Sequence, residues 1–513
     1  MDSLLDDVPR GRYAGHIGKP PDSHFELPSN LAATESLRFN PGNPESKIFL
    51  GVVDGTVVEG ERLPDGRTTR YVMGGKPIGV GDDRHCFLAA NSRSGKGRAV
   101  LLNNLLSLPA ETSILAIDPK GDHARLTAHY RADVLGQKVG ILDPFGVTGD
   151  STSRFHVAFN PIEILQKSDS KTFVPNAKLI ADSIIVAGET KEKHWDTTSQ
   201  QVLAGLNCHA ATHDRYDGHR NLLTVWHLAS ELASPDPDDP GRYWLEKEML
   251  ASDAAGGMVR NAARQFYDRT GGEFTSVLSN LRKHLDWIGI ECMADCLTGK
   301  SIDLRDQKRD SLAIYASLPA MRMPDLSGWL RLIVQMGLAA HEEEKQRSSF
   351  HQTVFMLDEF NVLGRLSCLE TAAAQIAGFG VKLWPVIQDL GQLKSKYESS
   401  WETFLGNAGV IQMFGLSDET TLKYASEKMG QALALARSTN LPTYEQAAKN
   451  AATGESWSIT NQPLMTPEEI SRFFARDDKL LRQLIIRPGY HPAILQRVFY
   501  DQHELFRGKC NEA

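Results

Sequence analysis

Residues 87–104 read FLAANSRSGKGRAVLLNN. The apolar run Phe87-Leu88-Ala89-Ala90 stops at a small polar loop, Asn91 to Ser94. The pair Gly95-Lys96 follows, and Gly97-Arg98 opens a helical segment. Strand, loop, Gly-Lys, helix is the layout of a phosphate-binding P-loop, in which backbone N–H groups and one lysine surround a polyphosphate. The spelling G-x-x-x-x-G-K-[ST] is broken twice, by Ala90 at the first glycine and by Gly97 at the hydroxyl residue. A Gly-Lys turn after a strand is common in itself, so the neighbouring sequence has to decide.

Downstream, TSILAIDPKGD is a second apolar strand ending at Asp118, Lys120 and Asp122, and KVGILDPFG a third ending at Asp143. SLAIYASLP, TVFMLDEF and KLWPVIQDL add further strands, the last two ending at Asp358-Glu359 and Gln388. Strands that are apolar throughout and alternate with helical stretches predict an α/β fold with a mostly parallel sheet covered on both faces. Ligands of such sheets gather at the carboxyl ends of the strands, where all these polar residues fall. Four apolar residues ending in Asp-Glu form a Walker B segment, whose aspartate orders a magnesium shell and whose glutamate polarises water.

Between residues 175 and 300 the strands give way to segments with apolar residues at three- and four-residue spacing, which predicts an all-α insertion. Within it, Cys208, His209, His213 and His219, and the pair Cys292 and Cys296, suggest metal ligands. No second ligand pair of standard spacing accompanies them, so ordinary side chains are expected. Residues 1–45, rich in Pro, Gly, Asn and Ser, are expected to be a poorly ordered extension. Short strands joined at Gly and Asp turns, such as Pro64-Asp65-Gly66, then predict a β-ribbon leading into the sheet. The expected division is a nucleotide-binding domain over 46–174 and 301–500, the helical insertion over 175–300, and a tail over 501–513.

The 513 residues are 41% hydrophobic and 23% charged with a net charge of −8, which excludes a chain coated in basic surface. Six scattered cysteines argue for a reducing compartment. No run reaches the roughly 18 apolar residues of a membrane span; the most apolar window, Trp329 to Ala340, is interrupted by Arg331 and Gln335 and predicts a buried helix. The expectation is a cytoplasmic protein.

Together these residues resemble the type IV coupling proteins, the TraG/TraD-type ATPases of conjugation and type IV secretion, which are RecA-like motors related to FtsK and HerA. NSRSGKG resembles that family's Walker A loop, in which both departures from the regular spelling are frequent. DPKGD is similar to its D-x-K-G-E element, with Asp122 for the glutamate, and FMLDEFNVLGRL to its Walker B segment. The stretch from AGFGVKLWPVIQDLGQL to KYASEKMG, with Gln388, Gln392, Asn407 and Phe414-Gly415, resembles its most distinctive block. QPLMTPEEI and RPGYHPAILQRVFYDQ also fit.

The resemblance implies a RecA-like P-loop domain that hydrolyses ATP with Mg2+ at subunit interfaces of a homo-hexamer and moves DNA or a DNA–protein substrate. It implies Asn91, Ser92, Arg93, Ser94, Gly95, Lys96, Gly97 and Arg98 around the nucleotide, Asp358 at the metal, Glu359 on water and Gln388 as γ-phosphate sensor. Relaxase or effector proteins are the implied partners. The membrane helices usual in the family are not found, so either a separate membrane-anchored partner holds the chain at the inner membrane or the chain works as a cytosolic motor. Two other readings stay open: a cytosolic HerA-like motor of DNA processing or defence, and an adaptor that recruits substrate proteins. A trans-acting arginine is not evident, Arg322 and Arg365 being the candidates. Arg260, Arg264, Arg282 and Lys283 are candidate DNA contacts on the insertion.

Overall fold

The computed structural model describes residues 23–62, 64, 66, 68–186, 193–269, 271–299, 301–345, 352–440 and 454–510. Residues 1–22, Asp65 of the expected turn and residues 511–513 of the expected tail lie outside them.

The strands fall where the apolar runs predict them. β1 (Ile48–Val53), β2 (Thr56–Arg62), β3 (Thr68–Met73) and β4 (Lys76–Val80) come first, then β5 (His85–Ala90), β6 (Ser113–Asp118) and β7 (Lys138–Leu142). After a helical stretch follow β8 (Leu312–Ser317), β9 (Thr353–Leu357), β10 (Val381–Ile387) and β11 (Ala408–Phe414). Then come β12 (Gln431–Asn440), β13 (Gly454–Pro463), β14 (Arg482–Ile486) and β15 (Ala493–Gln496).

Among the described residues, eleven strands form one sheet in the order β4-β1-β15-β14-β11-β5-β10-β9-β6-β8-β7. From β11 to β7 every pairing is parallel, and from β4 to β11 every pairing is antiparallel. The strand of the Gly-Lys loop, β5, is thus separated from the Asp-Glu strand, β9, by β10, which carries Gln388 at its end. This is the strand order of a RecA-like P-loop domain.

The parallel strands are apolar throughout because both faces are covered, and alternate residues go to opposite sides. Ile114 and Ala116 of β6 pack with Leu88, Val354 and the helical segments 97–107 and 122–134. Leu115 and Ile117 face the other way, with Phe87, Phe355 and the helices that follow β7.

Those helices include Phe173–Ile184, Lys193–Thr212, Met258–Tyr267 and Gly272–Leu285, and among the described residues of the insertion no strand interrupts them, as the periodicity predicts. Helix Ser327–Glu343 is buried on nearly every side and joins them to the sheet. The two polar interruptions of its apolar window do specific work. Arg331 donates from Nε to Ser183 O at 2.9 Å and from Nη2 to Ile184 O at 3.0 Å, capping the end of helix 173–184, and Gln335 accepts from Ser183 Oγ.

Three expectations are corrected. Residues 23–45 are not a loose arm: Pro28–Ala33 is helical, Leu31, Leu37 and Phe39 are buried, and the Asn43 amide donates to Ser107 O at 3.1 Å. These anchors are single residues without period, which is why no pattern marks them. The β-ribbon is divided, since β1 and β4 belong to the main sheet and only β2 and β3 pair as a separate hairpin. The segment after 500 is no free tail, because Phe506 is buried with its ring 5.1 Å from that of Phe49.

Candidate functional site

The loop between β5 and its helix is shaped by its backbone. Arg93 (φ 58°) and Gly95 (φ 89°) both take left-handed conformations. A Cβ on Gly95 would meet only Phe499, at 3.6 Å, so glycine is needed there for its conformation and not for space. Asn91 O accepts from both the backbone N–H and the hydroxyl of Ser94, and the Asn91 amide reaches Ser417 Oγ.

Underneath, the fully buried Arg497 donates to Ser94 O at 2.9 Å and stacks on Phe414, 4.5 Å from the ring centre. A Cβ on Gly415 would stand 2.8 Å from Ser94 Cβ, so the Phe-Gly pair lets β11 approach the loop closely. Arg98, expected at the nucleotide, holds Asp501 at 2.7 Å and lies over Phe499 at 4.4 Å. The segment after β15 therefore clamps the loop from outside.

A cleft of about 490 Å³ opens over this loop, lined among others by Arg93, Lys96, Lys120, Asp122, Asp358 and Tyr500. That volume lies within the usual range for small-molecule sites. Lys96, at the start of the helix, points across the strand ends. Its ammonium is 2.8 Å from Glu359 Oε1 and 3.3 Å from Asp358 Oδ1. Burial disfavours the charge on Lys96, but the two carboxylates more than offset this and hold its pKa above the ordinary value. Gln388 donates to Glu359 Oε2 at 3.2 Å. Lys96, Asp358, Glu359 and Gln388, spread over nearly 300 residues of sequence, thus meet at one point. Glu359 sits at φ 53°, ψ 45°, a left-handed conformation costly for a non-glycine residue.

The DPKGD element forms the opposite wall. Gly121 (φ 70°) could not carry a Cβ, which would meet Val147 O at 2.7 Å. Asp118 is buried at the end of β6, where one oxygen accepts the Ala124 N–H at 2.9 Å. Its other oxygen and His123 Nδ1, 3.7 Å apart, are both buried without a hydrogen-bond partner. Burial pushes the Asp118 carboxyl up, opposed by His123. Asp143 does not reach the cleft; it caps its own turn through Val147 N, Thr148 N and Thr148 Oγ1.

Two acids beside a lysine, with unpaired polar atoms in the facing wall, fit a polyphosphate and a hydrated divalent cation. Asp358 stands beside Lys96, where a metal shell would be held.

Sequence reasoning gave Arg497, Phe499, Tyr500 and His123 no role in this site. The signal was there in position: the first three lie in the RVFYDQ stretch that resembles the family, and His123 directly follows DPKGD.

The remaining candidates separate. Gln392 and Asn407 serve structure, Gln392 holding Asp389 and Asn361 while Asn407 donates to Thr403 O. Arg365 is tied to Glu370 at 3.0 Å, whereas Arg322 is exposed after β8 and has no ion pair among the described residues. His209 and His213 lie around Glu248 together with Arg215 and Tyr216. Among the described residues no cluster could hold a metal through three His, Cys, Asp or Glu side chains. Cys86, Cys208, Cys292, Cys296 and Cys368 are free thiols. Arg260 pairs with Asp253 and Arg282 donates to Ser230 O, while Arg264 and Lys283 are exposed. Among the described residues no helix is long and apolar enough to cross a membrane.

Comparison with known proteins agrees with this geometry. Protein VirD4 of Rhizobium radiobacter is 26% identical over 446 residues, covering 85% of this chain and 59% of the relative. Conjugal transfer protein TraG of Escherichia coli is 25% identical over 405 residues, covering 76% of this chain and 61% of the relative. The chain thus spans less than two thirds of the length of these relatives. Among solved structures, the plasmid coupling protein TrwB in complex with the non-hydrolysable ATP analogue ADPNP superposes with a TM-score of 0.58 at 15% identity, over 89% of this chain and 97% of TrwB. At that identity the likeness establishes the fold, an α/β RecA-like P-loop domain. The model of the family described as type IV secretory system conjugative DNA transfer matches residues 51–513, and the chain belongs to that family of coupling proteins.

Proposed function

We propose that this chain is an ATP-driven motor that moves DNA, or DNA with an attached protein, as a coupling protein of conjugation or type IV secretion. The observation that carries the reading is the convergence of Lys96, Asp358, Glu359 and Gln388 over the cleft. TrwB, which shares the fold, has been captured with ADPNP and with ADP and Mg2+, which supports ATP and Mg2+ as ligands here.

In this reading the Lys96 ammonium binds the β- and γ-phosphates, and backbone N–H groups of Ser92 to Gly97 surround them. Asp358 holds the metal shell. A bound Mg2+ supplies charge neutralisation on the phosphate oxygens. Glu359 orients the attacking water and accepts its proton. Gln388, already hydrogen-bonded to Glu359, senses the γ-phosphate.

Before nucleotide enters, Glu359 is engaged by Lys96, so the acid that acts on water is held by the lysine that will grip phosphate. Binding at Lys96 frees Glu359, which couples occupancy to competence. The working form is a homo-hexamer, with the helical insertion over 175–300 facing the substrate and relaxase or effector proteins as cargo.

The test is the rate of phosphate release with and without single- and double-stranded DNA, alongside the mass of the assembly. Stimulation by DNA with formation of a ring supports the motor. DNA affinity that falls steeply with salt reports phosphate contacts, whereas an ATPase indifferent to DNA, with no salt-dependent binding, would leave a protein-recruiting role instead.

A further inference from the structure

We propose that His123, oriented by Asp118, does the work of the hydroxyl missing at residue 97 and holds a water of the magnesium shell beside the bound nucleotide. This rests on the nucleotide and magnesium reading above.

The observation begins with Gly97. Its backbone is not in the left-handed region, and a Cβ built on it would meet only His123 Nε2, at an unstrained 3.7 Å. Neither conformation nor space therefore requires glycine there, immediately after Lys96. The space a serine or threonine side chain would occupy is bordered by the histidine ring.

His123 is not ordinary packing. It is 4% exposed and Asp118 is 1% exposed, yet His123 Nδ1 and Asp118 Oδ1 each lack a hydrogen-bond partner in the buried wall. They face one another at 3.7 Å. Unpaired buried polar atoms are costly, and these two lie close enough for a small movement to join them.

The chemistry of that contact is specific. Asp118 is fixed, since its other oxygen accepts the Ala124 N–H. A small rotation of the imidazole lets Nδ1–H donate to Asp118 Oδ1, which fixes the tautomer and leaves Nε2 as an acceptor. Nε2 borders the space beside Gly97 in the cleft wall. An acceptor suits a metal-bound water, which is a strong donor, and magnesium keeps its waters in preference to nitrogen ligands. His123 is then a water-holding residue and Asp118 its positioning partner.

The experiment measures the affinity of a fluorescent ADP analogue in MgCl2 and in EDTA; the ratio of the two is the magnesium-dependent gain. His123→Ala should leave the affinity in EDTA unchanged and reduce the gain by roughly tenfold or more, the usual effect of removing an outer-shell partner. Asp118→Asn should reduce the gain less. Gly97→Ser introduced into the His123→Ala chain should restore it, which a purely structural role for His123 does not predict. An unchanged gain in His123→Ala, or equal weakening with and without magnesium, would overturn the proposal. Lys96→Ala serves as the reference: if it alters affinity under neither condition, the nucleotide reading itself fails, whereas its loss of binding beside a normal His123→Ala chain refutes the role of His123 alone.

Discussion

Replacing Glu359 with glutamine should separate nucleotide binding from hydrolysis, and the structure sets the size of both effects. In the free chain Glu359 accepts from Lys96 at 2.8 Å and from Gln388 at 3.2 Å. Two unit charges at that first distance attract by about 6 kcal/mol at an effective dielectric constant near 20. After desolvation, a hydrogen bond to a charged group is worth about 1.5–3 kcal/mol net. A phosphate that competes for Lys96 has to displace this interaction and sit near the same carboxylate. Glutamine keeps the volume and, through Oε1, the hydrogen bond from Lys96, but removes the charge. Asp358 remains 3.3 Å from Lys96, which keeps the lysine partly engaged and places the effect at the lower end.

The expected result is ATP affinity tighter by roughly tenfold, about 1.4 kcal/mol. Turnover should fall by about 10²–10⁴, the usual contribution of a general base. Fluorescence anisotropy with an ATP analogue gives the first quantity and a phosphate-release assay the second. A variant that binds no tighter and hydrolyses at the parental rate would refute both the competition and the role of Glu359.

Other outcomes follow from the supports of the loop. Gly415→Ala forces a Cβ to 2.8 Å from Ser94 at φ 64°, so melting should fall by the equivalent of about 1–2 kcal/mol and nucleotide affinity should weaken. Gly378→Ala, with nothing within 4 Å, should do neither. Arg497→Ala removes the buried donor to Ser94 O and should cost about 1.5–3 kcal/mol in denaturant unfolding, with a weaker nucleotide site. For pH, burial and the neighbouring Lys382 hold His85 down at about 4, and its Nδ1 accepts the Leu383 N–H at 3.1 Å. An unfolded histidine titrates near 6.5. The unfolded state therefore binds more protons between these values, and stability should be complete above about pH 6.5 and lost as pH falls toward 4, by about 3 kcal/mol for this group. His85→Gln should flatten that dependence, measured as denaturant midpoints between pH 7.5 and 4.5, and an unaltered slope would contradict it.

The parts of the site legible in the sequence are those whose chemistry is local. A strand ending in Asp358-Glu359, a Gly95-Lys96 turn before a helix, and Gln388 at a strand end are each visible because apolar burial stops where the polar residue starts. The all-α insertion was legible because helices burying one face repeat every three or four residues. The sheet order was not, since the insertion of β10 between β5 and β9 is a long-range pairing that no period encodes.

Arg497 was hidden for a related reason. It lies in the RVFYDQ stretch that resembles the family, but only the fold reveals that its guanidinium lies under Ser94. Residues 23–45 read as loose because Leu31, Leu37 and Phe39 are buried one at a time, and Phe506 was overlooked in the same way. Of the two departures in the opening loop, glycine at position 97 becomes interpretable only once His123 stands beside it.

Hydrolysis of ATP in the cleft over Lys96 is tested by steady-state phosphate release from the purified chain and from Lys96→Ala, with Mg2+ and DNA, over a range of protein concentrations. The parental chain should release phosphate at a rate that increases as subunits associate, and the variant should release none above background at any concentration. Equal release by the two proteins would place the chemistry elsewhere than the cleft over Lys96.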